Sequence, residues 1–138
     1  MNTEDYVSYP LALALKKARF DEPCDHYWYK AYANSDEMSM RQASADDFNS
    51  DDWDVPHCSA PTLAQAQKWL REKKKIDVLV WNCACGYGWE VSKAENGTGL
   101  ILFDDKGDNK DSGCWTSYES ALSAGIAEAL ELIEKEGE

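Results

Sequence analysis

The chain has 138 residues and a mass of 15.5 kDa, the size of one ordinary domain, and its 43% of apolar residues are enough for a real core. It carries 26 acidic against 14 basic residues, a formal charge of -12. Nucleic-acid binding draws most of its affinity from Lys and Arg on phosphates, so direct nucleic-acid binding is disfavoured, and docking on an anionic membrane surface with it.

In chain order, Ser8 is placed to cap a first helix, with Pro10 in the first turn where a missing N–H is harmless. Leu11, Ala14, Leu15 and Ala18 make one apolar stripe, and Pro23 is expected to end the helix. Residues 26–32, His-Tyr-Trp-Tyr-Lys-Ala-Tyr, read as an aromatic strand. From 34 to 60 Asp, Ser, Asn and Met dominate without a period. That stretch reads as a long acidic loop holding at most one helical turn or short strand.

Thr62 and Gln65 form a capping box that opens a helix over 62–74, with Leu63, Ala66 and Leu70 on one face and Trp69 beside them. Alternation over 76–83 sets Val78 and Val80 on one face of a strand and Leu79 and Trp81 on the other. Gly86 and Gly88 punctuate the turn into a strand over 87–93. Asn96-Gly97 then signals a hairpin into a third strand over 100–103. Thr116 with Glu119 reads as a second capping box, opening a helix over 116–134. Its Tyr118, Ala121, Leu122, Gly125, Ile126, Ala129, Leu130 and Ile133 keep an unbroken helical spacing. Gly125 costs helix propensity, which close approach to a sheet would offset. No repeat or linker divides the chain. The expectation is a single α+β domain over 1–138. Its mostly antiparallel sheet is a three-stranded meander plus an N-terminal strand, packed by about three helices.

Three stretches carry a resemblance: Phe20-Asp21-Glu22-Pro23-Cys24-Asp25, the run from Ala60 to Glu72 (Ala-Pro-Thr-Leu-Ala-Gln-Ala-Gln-Lys-Trp-Leu-Arg-Glu), and the run from Tyr118 to Ile126 (Tyr-Glu-Ser-Ala-Leu-Ser-Ala-Gly-Ile). They resemble a set of small proteins without known activity, and the resemblance covers the N-terminal helix and both capped helices, roughly a third of the chain. Gut Bacteroidales bacteria, their phages and their mobile elements encode that set. The resemblance implies a cytoplasmic bacterial or phage product in a phage-related context, and it brings no activity, cofactor or site residue. Other features agree with a cytoplasmic setting. The longest near-apolar run, 11–15, is far short of the roughly 20 residues of a spanning helix. Glu4 and Asp5 are the wrong charge for an export signal, and five scattered cysteines suit free thiols in a reducing compartment.

Candidate chemistry is sparse. Cys24-x-His26, His57-Cys58, Cys83-x-Cys85 and Cys114 offer soft ligands, but the spacings match no structural zinc signature, and buried thiols are the simpler reading. Asp108, Gly113 and Glu119 echo a calcium loop, yet Lys110 stands at a ligand position. Gly86-x-Gly88 lacks the third glycine of a phosphate loop and leads into a strand. Arg71, Lys73, Lys74 and Lys75 are the one basic cluster, and they suit the negative end of a helix dipole. No catalytic residue, metal or cofactor is assigned. The alternative is a small hydrolase or metal-dependent enzyme using Cys24, His57 and loop aspartates such as Asp54.

Aromatics are abundant, with six Trp and seven Tyr. Trp69, Trp81 and Trp89 are expected in the core. Tyr27, Trp28, Tyr29, Tyr32 and Trp53, with Asp51, Asp52 and Asp54, are expected to form an acidic, aromatic surface for a protein partner, a basic or nucleic-acid-binding one.

Overall fold

The Ser8 cap forms as the sequence implies: its Oγ accepts from the Leu11 N–H at 3.4 Å and opens α1, Tyr9–Lys17. In the computed structural model, which describes residues 5–30, 38–42, 57–84, 86–101 and 115–136, this helix does not run on to Pro23. It closes after Lys17, where the Arg19 N–H donates to the Lys16 carbonyl at 3.0 Å and the Phe20 N–H to the Leu15 carbonyl at 2.9 Å. This is a Schellman closure with Arg19 left-handed at φ 75°. Phe20 and Leu15 are both buried, so apolar burial stops the helix before proline can.

The class is α+β, and tertiary contacts gather the chain into two compact units, Met1–Thr62 and Leu63–Glu138. In the first, β1 (His26–Lys30) runs antiparallel between β2 (Met38–Gln42) and β3 (His57–Ser59). Two expectations change here. The stretch read as a loop over 34–60 carries two strands, and the N-terminal strand builds its own sheet instead of joining the meander. Met-Ser-Met-Arg-Gln and His-Cys-Ser are too short and too polar to show a period of two, so only pairing with β1 reveals them. The segment before α1 is held to the chain after β3 by the Val7 N–H donating to the Pro61 carbonyl at 3.0 Å and by a bridge between Tyr6 and Thr62.

The second unit opens with α2, Leu63–Trp69, which widens into one π-helical turn, Leu70–Lys74. The Lys75 N–H donates to the Leu70 carbonyl, five residues back, and Lys75 is left-handed at φ 60°. Leu63, Ala66, Trp69 and Leu70 are buried, and the Lys74 ammonium lies 5.4 Å from the Trp69 ring centre. The meander follows as β4 (Ile76–Cys83), β5 (Gly86–Lys93) and β6 (Gly99–Ile101), in that spatial order. Val78 pairs with Val91 and Val80 with Trp89, while Trp81 lies opposite Gly88. Both glycines therefore lie inside β5, and the turn that precedes it includes residue 84. The second hairpin uses a five-residue loop, 94–98, in which the Gly97 N–H donates to the Lys93 carbonyl at 2.8 Å and the Thr98 N–H to the Asn96 side chain at 3.0 Å. A two-residue type I′ turn needs positive φ at both centres, and here only Gly97 has it, at 74°.

The last helix, α3 (Tyr118–Glu136), is capped one residue later than Thr116-x-x-Glu119 suggests. The Ser120 N–H donates to Ser117 Oγ at 3.0 Å and the Ser117 N–H to Ser120 Oγ at 3.2 Å, a reciprocal box with serine in the place of glutamate. Along the stripe Ala121, Leu122, Ile126, Ala129 and Leu130 are buried, whereas Ile133 is half-buried, less than its place in the pattern implies. The helix packs on β4 and β5. At Gly125 a Cβ would lie 2.6 Å from Val78 Cγ1 and 3.2 Å from Trp89 Cβ, so glycine is what permits the approach. Trp69 and Trp89 are core residues; Trp81, expected with them, is half-buried on the other face of β4. No helix among the described residues is long and apolar enough to cross a membrane.

Candidate partner-binding site

Strand β1 decides how the aromatic segment is presented. Successive side chains on a strand point to opposite faces. Tyr27 and Tyr29 therefore share one face, half-buried, with ring centres 5.8 Å apart and planes inclined at 60°. Their cross-strand neighbours are Arg41 and Ser59 for Tyr27, and Ser39 and His57 for Tyr29.

Trp28 belongs to the other face, where it aligns with Met40 and Cys58. Its Nε1–H donates to the Val7 carbonyl at 2.9 Å, and Tyr9 of α1 meets it edge-on at 6.4 Å. The structure thus parts the three aromatics that the sequence groups together. Trp28 ties the sheet to the segment around α1, and Tyr27 with Tyr29 remain as the presented pair. Tyr32, Trp53, Asp51, Asp52 and Asp54 lie outside the described residues.

The end of β1 where the strand begins is acidic. His26 is buried, its Nδ1 lies 2.8 Å from Asp25 Oδ1, and its ring meets that of Tyr6 at a tilt of 55° with centres 4.5 Å apart. Burial together with the negative charges of Asp25 and Asp5 raises the Tyr6 hydroxyl above its ordinary range. Asp21 and Asp25 are exposed on the approach to the strand.

The thiols of this unit are of a different kind. Cys24 and Cys58 are free and buried. Burial pushes the Cys24 thiol up to about 12, against a smaller opposing effect of its hydrogen bond with Ser59, and Asp25 and Glu22 push it further up. Cys24 Sγ also donates to the Glu22 carbonyl at 3.4 Å. Burial raises Cys58 to about 11, with Lys16 opposing. A nucleophile or metal ligand needs the thiolate, which neither site favours. Among the described residues no three His, Cys, Asp or Glu side chains gather as a metal site. Cys85, Cys114, Asp54, Asp108, Lys110 and Gly113 lie outside the described residues. Glu119, the last member of the calcium-loop pattern, sits in the first turn of α3.

Ser59 and Tyr6 are the residues of this region that sequence reasoning did not single out. Ser59 takes its place only through the pairing of β3 with β1, and no local signal announces that pairing. Comparison with family models, with curated proteins and with solved structures finds no match to this chain.

Proposed function

We propose that the protein is a non-enzymatic, acidic interaction protein that binds a basic protein partner through the Tyr27–Tyr29 face of its first sheet. The observation that carries this reading is the paired, half-buried rings on the central strand of that sheet. Tyrosine faces attract Lys and Arg side chains, and rigid aromatic rings are frequent anchors of protein interfaces. The surrounding charge acts in the same direction. Up to Thr62 the sequence holds twelve acidic and five basic residues, a field that steers cationic partners. The sequence adds Tyr32, Trp53, Asp51, Asp52 and Asp54 to the same reading. In the phage-related context implied by the resemblance, a DNA-acting host protein is the concrete partner class, since an acidic surface can imitate a phosphate backbone.

The alternative, an enzyme using Cys24 and His57, is weakened by a Cys24 thiol held at about 12. The test is capture from a Bacteroidales lysate at low and high salt, with wild type beside a variant carrying Tyr27→Ala and Tyr29→Ala. The expected result is a basic protein retained by wild type at low salt and lost both at high salt and with the variant. Retention of nothing salt-sensitive, or equal retention by the variant, overturns the reading.

A further inference from the structure

Among the described residues the second sheet has an open edge: in its order β4–β5–β6, strand β4 is flanked there by β5 alone. The hydrogen-bond alternation of an antiparallel pair decides which β4 residues turn their backbone groups outward. Lys75 accepts from the Ala94 N–H at 3.0 Å, whereas the Val78 carbonyl accepts from Gln67 Nε2 at 2.7 Å. On the other side of β5, the Tyr87 N–H donates to Trp115 and the Lys93 N–H to Thr98. All four bonds agree on one pattern. Odd-numbered β4 residues bond to β5, and Ile76, Val78, Val80 and Asn82 present N–H and C=O to the edge.

Gln67 of α2 occupies the edge at Val78. Beyond it the outward groups of Val80 and Asn82 have no partner among the described residues, and Asn82 is exposed. Protein edges are usually guarded by Pro, Lys, a bulge or a covering element. Over residues 79–83, Leu-Val-Trp-Asn-Cys, none of the guarding residue types occurs. Leu79 is 41% exposed and Trp81 half-buried on the same face.

We infer that this edge pairs with β4 of a second copy of the chain, antiparallel across a two-fold axis at Trp81, joining two meanders into one six-stranded sheet. The register follows from the pattern. Pairing Val80 with the partner's Asn82, and Asn82 with the partner's Val80, makes four backbone hydrogen bonds. A shift by one outward residue to a Val80–Val80 centre also makes four, but it leaves both Asn82 N–H groups facing the Val78 carbonyl that Gln67 already holds. A shift to an Asn82–Asn82 centre keeps only two bonds. In the favoured register the two Trp81 side chains face each other in the close, non-hydrogen-bonded pair that aromatics fill well. The strand is self-complementary there and uncharged, so an identical strand fits without a buried charge. This edge belongs to the second unit and the Tyr27–Tyr29 face to the first.

Sedimentation equilibrium over a concentration series, in low and high salt, tests it. Wild type should move from 15.5 kDa toward twice that mass. The dimer should strengthen with salt, because each copy carries a charge of -12 and screening relieves the repulsion. Asn82→Pro deletes a donor that points away from β5, so the intrachain ladder survives while dimerisation weakens at least about tenfold. Trp81→Lys sets two cations face to face across the axis and should give a monomer with an unchanged circular dichroism spectrum, which decides the matter should the proline variant misfold. A wild type that stays monomeric at both salts overturns the inference. So does a dimer that Trp81→Lys leaves as tight as before, since another surface would then hold it.

Discussion

Arg19 closes α1 in the left-handed region at φ 75°, a conformation that glycine adopts without the steric cost of a Cβ. The Schellman bonds to Lys16 and Leu15 hold it there, so the strain is local and removable. Arg19→Gly should raise stability by about 0.5 kcal/mol, the lost strain outweighing the lost dipole interaction of one cation while Lys16 and Lys17 remain. Thermal melts of the two proteins check it. The buried thiols make a second residue-scale prediction. Cys24 and Cys58 titrate at about 12 and about 11 when folded, against 9.0 for a free thiol. The unfolded chain therefore loses these protons first. Their contribution is fully present below pH 9 and is lost as pH rises through 11 and 12. Replacing both by Ala should flatten the decline of Tm above pH 9. An unchanged slope would mean that other groups govern the alkaline limb.

At the scale of elements, α3 is the clamp of the second unit, and its pitch against β4 and β5 rests on one missing methyl group. Ala in place of Gly125 would gain about 1 kcal/mol of helix propensity. Against that, its Cβ would sit 2.6 Å from Val78 Cγ1, a separation that real side chains essentially never show. Overpacking of this kind costs typically 1–3 kcal/mol, so the clash wins. Gly125→Ala should destabilise by about 1 to 2 kcal/mol, while Ala127→Ser on the exposed side should stay within about 0.5 kcal/mol. Chemical denaturation that ranks the two alike would contradict this packing. Directly beneath the helix, Trp89 Nε1 is buried without a hydrogen-bond partner among the described residues. That desolvated donor is a cost the indole's large buried surface has to offset.

For the whole molecule, charge is the governing variable. A chain at -12 should bind a basic partner more weakly as salt rises and should self-associate more tightly under the same change. The opposite signs separate the two surfaces. Light scattering and partner capture across one salt series should therefore diverge, and a common trend would show that a single mechanism governs both.

Much of the second unit was legible in the sequence because its signals are local. The 3.6-residue spacing of Leu122, Ile126 and Leu130 and the alternation of Val78 with Leu79 each reflect neighbours a few positions apart. The capping serine is one position past the sequence signal because Thr116-x-x-Glu119 fits the capping-box template while Ser117-x-x-Ser120 has serine where that template has glutamate, and only the hydrogen bonds single it out. The first unit was less legible. Strands β2 and β3 owe their existence to partners on β1 that are distant in sequence. So does the separation of Trp28 from Tyr27 and Tyr29, because a strand's alternation shows which residues share a face but not which face is covered. The open edge of β4 belongs to the same category. Residue types and their spacing determined the helices and the meander by themselves. Which backbone groups find partners, and which are left to meet another chain, was decided only when the strands were laid side by side.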